Sequence, residues 1–214
     1  MAGPAVKQAA TIDAAGPREA IIDAAVRLFG SRSYTGTSMR DIAGAVGVLP
    51  GSLYAHIDSK EALLAGIVAD GIGRFLDAVR PHQQSDATAS ARLRAMIVAH
   101  VGVVADNPER SLVVFHQWRF LGTGNAQAAI AKRRDYEQAF VAVLGDGIAT
   151  GEFRPGLNPR IAVLTILGAL NWTPEWLSPG GRLSPEEVGG LIADTLLTGV
   201  RGNDEIGPGV LDAA

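Results

Sequence analysis

The chain has no cysteine. That excludes disulfides, zinc fingers, iron–sulfur clusters and any cysteine nucleophile. Lysine is scarce as well: of the 19 basic residues, only Lys7, Lys60 and Lys132 are lysines. At a net charge of -3 the chain lacks the balance of a wholly basic nucleic-acid binder, so any such contact must be local to one face. Long apolar runs are missing, since no stretch of about 18 residues escapes Arg, Asp, Glu or His, and none reads as a membrane span. The opening MAGPAVKQAATIDAAGP holds one lysine and no continuous apolar segment, so it does not read as a secretory signal. The expected location is the cytoplasm. Enzyme motifs are missing too: there is no nucleophile elbow, P-loop or metal-spaced His/Glu pair, and Gly71-Ile72-Gly73 lacks the third glycine of a dinucleotide fingerprint. With His56, His82, His100 and His116 scattered, we expect neither metal nor cofactor.

What is present is a chain of 214 residues, 47% hydrophobic, long enough to bury a substantial core. Apolar residues recur at helical spacing nearly everywhere, and no strand-like alternation is sustained between turn signals. The pattern predicts an all-α fold of about nine helices. Residues 1–16 and 203–214 are rich in Ala, Gly and small polar residues and read as tails. The first helix is expected over 17–29, stopped by Gly30, and a short second helix capped by Thr37 or Ser38 runs to Ala45. Gly47 breaks the chain before a third helix of about two turns that starts at Pro50. Asp58-Ser59-Lys60-Glu61 has the form of a capping box, with Asp58 accepting and Glu61 reaching back. A fourth helix then runs to about Arg80, where Pro81 ends it. Further helices are expected at 88–106, 108–121, 125–150, 159–177 and 185–201, the last opened by Ser184-Pro185-Glu186-Glu187 with serine as N-cap.

Three short helices with a glycine turn before the third satisfy the helix-turn-helix description, although an ordinary helical hairpin has the same spacing. Lys60 weighs in favour of the former. A cation in the first turn of a helix meets the positive end of the macrodipole, so a phosphate bound there would turn a liability into an anion site. Tyr54 is expected to point its hydroxyl at the same backbone while its ring packs on the first helix.

The stretch FGSRSYTGTSMRDIAGAVGVLPGSLYAHIDSKEALL closely resembles the DNA-binding domain of the TetR family of bacterial transcriptional regulators. The resemblance is carried by Phe29, Gly36, Thr37, Ser38, Ile42, Ala43, Val46, Gly47, Val48, Gly51, Leu53, Tyr54, His56, Lys60 and Leu63. It implies a helix-turn-helix domain over 17–62, extending into helix to about 80, and a ligand-binding and dimerisation domain over 63–202. It further implies that Thr37, Ser38, Tyr54, His56 and Lys60 hold phosphates, while Arg40, Pro50, Gly51, Ser52 and Ala55 face the DNA groove. Arg40 could equally be a solvated residue or a partner of Asp41. Leu49 departs from the family's Ser or Thr cap, a loss of roughly 0.5–2 kcal/mol that Pro50 partly offsets by fixing the first turn. Ile57 replaces the usual Phe.

In such regulators the last two helices form the dimer interface, which here implies Leu164, Gly168, Val188, Leu191, Ile192 and Leu196. Packing within one subunit is the alternative. Met96, His100, Phe115, Trp118, Arg119, Arg133, Tyr136 and Phe140 suit an apolar pocket with cations near its mouth, although each taken singly is more often core. AQAAIAKRRDYEQAFVAVLGDGIATGEFRPGL followed by LGALNWTPEW resembles a TetR subgroup that governs fatty-acid or sterol breakdown and responds to acyl-coenzyme A thioesters. Asn171, Trp172 and Trp176 would contact such a ligand or form a packed helix end, and Pro174 should distort the backbone between the tryptophans. The resulting expectation is a homodimeric, ligand-responsive repressor on a palindromic DNA operator. The alternatives are a TetR-like activator, a regulator without ligand, or a helical enzyme or carrier that binds acyl thioesters.

Overall fold

The computed structural model describes residues 16–178 and 180–200, with side chains described to residue 198. The expected tails at 1–16 and 203–214 lie outside these residues except for Gly16, which opens the first helix. Nine α-helices and no strand occur among the described residues: α1 (Gly16–Arg32), α2 (Met39–Val46), α3 (Pro50–Leu53), α4 (Lys60–Gln83), α5 (Ala89–Asp106), α6 (Pro108–Leu112), α7 (Thr123–Ala149), α8 (Pro159–Asn171) and α9 (Pro185–Val200). The chain divides into two compact units, one of residues 16–72 with Pro108–Lys132, the other of Gly73–Asn107 with residues 133–200. The division therefore does not fall at residue 62, because α4 and α7 each contribute to both units.

Several helix ends differ from the expectation for local reasons. Gly30 does not stop α1, which continues to Arg32, and the turn is made by Ser33 at φ 64° instead. Gly36 is needed for space rather than for a left-handed φ: a Cβ there would lie 2.2 Å from the Arg32 carbonyl oxygen. Pro81 sits inside the last turn of α4, which runs on to Gln83. The helix expected over 108–121 is only α6, followed by a π-helical turn at Val113–Gln117 and a 3-10 turn at Trp118–Phe120. Likewise α8 ends at Asn171, and a 3-10 turn at Thr173–Glu175 contains Pro174.

In the first unit the core is built on Ile21, Ala25, Phe29, Ile42, Leu53, Leu64 and Ile67, all essentially inaccessible to solvent. Arg110 of α6 is buried among carboxylates, donating to Asp70 at 2.8 Å and lying 3.4 Å from Asp23 and 3.7 Å from Glu19. It joins α1, α4 and α6. In the second unit α9 lies against α5, with Gly189 facing Val98 and Val101 and Gly190 facing Arg94. The approach is close enough that a Cβ on Gly189 would stand 2.9 Å from the Val98 Cα. Asn158 caps α8, accepting from the Arg160 and Ile161 amides at 3.1 and 3.2 Å. Glu152 caps α5 through the Ala89 and Ser90 amides, both at 2.9 Å. The expected box at Ser184 is present, with Glu187 accepting from the Ser184 amide at 2.7 Å and Ser184 accepting in return at 3.2 Å.

Candidate nucleic-acid interface and effector region

The helix-turn-helix begins with a capping box at Ser38. Ser38 Oγ accepts the Asp41 amide at 3.2 Å, and Asp41 Oδ2 accepts the Ser38 amide at 2.8 Å and its hydroxyl at 2.6 Å. These bonds hold the Asp41 carboxyl below its ordinary range. Gly47 closes α2 in the left-handed region at φ 81°, the conformation that favours glycine, and turns the chain into α3. No side chain caps α3; Leu49 is 77% exposed and Pro50 occupies the first helical position, as the sequence implies. The helix is a single turn rather than two, held down by Leu53 and Ile57, while Pro50, Gly51, Ser52, Tyr54, Ala55 and His56 all face outward.

Among the residues expected to hold phosphates, two make hydrogen bonds within the fold. Thr37 is buried, and its hydroxyl donates to the Leu28 and Ser33 carbonyls at 3.2 and 2.9 Å. The Lys60 ammonium donates to the carbonyls of Tyr34 at 3.0 Å and Thr37 at 2.8 Å, and stands 4.2 Å from the centre of the Tyr34 ring. Carbonyl oxygens and a π face thus compensate part of its charge at the helix start. The Tyr54 ring is more than half exposed. The capping box at 58–61 is replaced by a simpler cap: Ser59 Oγ accepts the Ala62 amide at 3.0 Å. Glu61 is thereby released to accept from the Gly122 amide and Asn125 Nδ2, both at 2.9 Å, at the start of α7. Those two donors lower its pKa, Asn125 contributing more. Arg40, Ser52, Tyr54 and His56 keep exposed side chains with no partner among the described residues. The α2–α3 surface thus offers a guanidinium, two hydroxyls and an imidazole beside the exposed Leu49 and several small residues.

Tyr34, which the sequence did not single out, organises the turn behind this face. Its amide donates to Gln117 Oε1 at 2.9 Å, its ring stacks on Phe120 at 5.8 Å and meets Phe29 edge-on at 5.4 Å. Burial raises the Tyr34 phenol pKa, with Glu61 adding to the effect. The only sequence signal is an aromatic residue between helices.

The residues expected to line a pocket do not form one group. Phe115, Trp118 and Arg119 belong to the first unit, with Arg119 Nε bonded to the His116 carbonyl at 2.8 Å. Met96, His100, Tyr136 and Phe140 belong to the second, where they are buried as a packed cluster with Phe75. Tyr136 Oη lies 2.7 Å from His100 Nδ1. Burial pushes the phenol well above its ordinary pKa and the imidazole down to about 3, with the Leu170 backbone pulling the imidazole only partly back. At neutral pH both are uncharged, and the imidazole tautomer sets which of them donates. Arg133 is half-buried, and desolvation lowers its pKa against the opposing charge of Glu137.

On α8 a second apolar row runs opposite the core: Ile161, Leu164, Gly168 and Trp172 are exposed, Leu164 by 53% and Trp172 by 59%. Trp176 follows at 50%, and Leu191 on α9 at 56%. Asn171, Ile192 and Leu196 are half-buried. Val188, expected in the dimer interface, is buried within its own subunit.

Residues 21–67 match the profile of "Bacterial regulatory proteins, tetR family", and residues 86–200 that of "Tetracyclin repressor-like, C-terminal domain". The chain is 30% identical to the HTH-type transcriptional repressor KstR2 of Mycolicibacterium smegmatis, covering 86% of this chain and 90% of that protein. It is 24% identical to the Fatty acid metabolism regulator protein of Bacillus subtilis, over 84% of this chain and 93% of the relative. Among solved structures, AibR in complex with isovaleryl coenzyme A and operator DNA superposes with a TM-score of 0.74 at 29% identity, covering 86% of this chain and 97% of that one. The chain belongs to the TetR family of bacterial regulatory proteins and is a regulator rather than an enzyme.

Proposed function

We propose that the protein is a cytoplasmic, homodimeric repressor that lays α3 in the major groove of a near-palindromic operator and is released by an acyl-coenzyme A thioester. The observation that carries the DNA reading is the unpartnered set Arg40, Ser52, Tyr54 and His56 around an exposed one-turn helix. Phosphates would be held by Tyr54, His56 and Arg40, with Pro50, Gly51, Ser52 and Ala55 close to base edges. Lys60, Thr37 and Ser38 would shape this face from behind. The paired recognition helices of a dimer would lie about one DNA turn apart, roughly 34–36 Å.

The exposed row on α8, with Leu191 of α9, supports self-association, because monomers seldom leave such a strip of large apolar side chains in water. The thioester effector is supported by the relatives: one is a fatty-acid metabolism regulator, and another was solved with isovaleryl coenzyme A. Fluorescence anisotropy on DNA from the protein's own promoter region tests the reading, with sedimentation for oligomeric state. Specific binding by a dimer, relieved by an acyl-CoA and insensitive to the free acid, is the expected result. Binding that persists in a Leu164→Glu monomer would overturn the dimer, and an operator position that raises transcription would make the protein an activator.

A further inference from the structure

The second unit contains a groove of about 380 Å³ between α7 and α8. Arg134, Glu137, Gln138 and Val141 line it from α7, and Arg160, Val163 and Leu164 from α8. These spacings put each set on one helix face, so the groove runs along about two turns of α7, roughly 10 Å.

The arginines of the groove stand apart from others in the protein. Arg92, Arg94 and Arg110 are each paired with a carboxylate. Neither Arg134 nor Arg160 has a side-chain partner among the described residues, and both are exposed. The one carboxylate of the groove, Glu137, acts on Arg133. Arg160 lies in the first turn of α8, where the macrodipole disfavours a cation. Lys60 occupies the same kind of position, but there two carbonyl oxygens compensate the charge. Nothing among the described residues does so at Arg160. Two free guanidiniums present forked donors suited to phosphate oxygens. At about 380 Å³ the groove has more room than a bare phosphate ion needs, and Val141 and Val163 give it an apolar wall, bordered by Leu164 of the proposed dimer strip.

We propose that this groove holds the phosphate-bearing part of the effector, with Arg134 and Arg160 forking its phosphate oxygens. The assignment rests on the thioester reading above. It is tested by isothermal titration of the full chain and of Arg134→Gln and Arg160→Gln with octanoyl-CoA, free coenzyme A and octanoate. Both coenzyme A forms should bind the wild type, and each substitution should weaken them by about tenfold or more while circular dichroism melting and operator affinity stay unchanged. If octanoyl-CoA binds wild type and variants alike, the groove assignment fails and the effector reading stands. If free coenzyme A binds through the arginines but octanoyl-CoA does not release operator DNA, the groove stands and the effector reading fails. Absence of binding by either coenzyme A form, or arginine-dependent binding of octanoate alone, overturns the proposal.

Discussion

The DNA-binding end and the second unit are both all-helical, yet they are held together by different physics. Around α2 and α3 the helices are too short to bury much, and position is set by directed polar contacts: Ser38 with Asp41, Lys60 on the Tyr34 and Thr37 carbonyls, and Gln117 on the Tyr34 amide. In the second unit Phe140, Met96, Leu144 and Phe153 are fully buried, and Phe153 fills a slot over Gly147 where a Cβ would lie 2.2 Å from its ring. The contrast teaches that changes at the DNA-binding end should alter aim before stability, whereas changes in the body should alter stability first.

The largest test of that contrast is Phe140→Ala. It should cost about 3–5 kcal/mol in denaturant unfolding at fixed protein concentration, through lost burial and a cavity. A loss below about 1 kcal/mol would mean that the body is not packed as described. His100 comes next. Its folded pKa of about 3 lies below the ordinary value of 6.5 in the unfolded chain. As pH falls below 6.5 the unfolded chain takes up a proton that the folded chain refuses, so stability should drop by about 2 kcal/mol by about pH 5. The lowered carboxylates Asp41, Glu61, Glu152 and Glu187 contribute only at lower pH. Melting curves from about pH 5 to 7 should therefore lose most of this slope in His100→Phe, and an unchanged slope would assign it elsewhere.

Lys60→Met sharpens the comparison from the other side. We expect about 1–2 kcal/mol of lost stability and weaker operator binding with an unchanged salt dependence, the outcome of a role spent on the Tyr34 and Thr37 carbonyls. A salt slope flatter by about one ion would restore the phosphate role. His56→Ala is the control that should show that flattening. The smallest effect belongs to Leu49→Ser, which restores a cap to α3 and should add about 0.5–1 kcal/mol while changing base preference at the operator.

Much of this architecture was legible because its signals are local. The caps at Ser38 and Ser184, the missing cap at Leu49, the turn at Gly47 and the helical period need only a few neighbouring residues. The carbonyl partners of Lys60, in Tyr34 and Thr37, lie 26 and 23 positions earlier, so the local dipole was legible and its compensation was not. The stretch 108–121 reads as one helix because a π turn keeps apolar residues near helical spacing and changes only the hydrogen-bond register. Val188 fits the apolar pattern of either face of α9; only the fit of Gly189 against Val98 decides which side is inward. The candidate effector residues scatter because nearness along the chain groups Phe115 and Trp118 with the other pocket candidates without showing that they fold with the DNA-binding end.

The π turn at Val113–Gln117 has a further consequence, set by Gly71 of α4. A Cβ there would lie 2.2 Å from Val114 Cγ2, so bare backbone meets the widened turn. A π turn is a helix with one residue of slack, and taking up that slack rotates the next residues along the chain by about 100° and moves them about 1.5 Å. Gln117 and Phe120 lie at and just beyond its end, and both hold Tyr34. Winding this short segment by a single residue would therefore swing the side chains that clasp the α1–α2 turn away from it, making the segment a ratchet with one tooth.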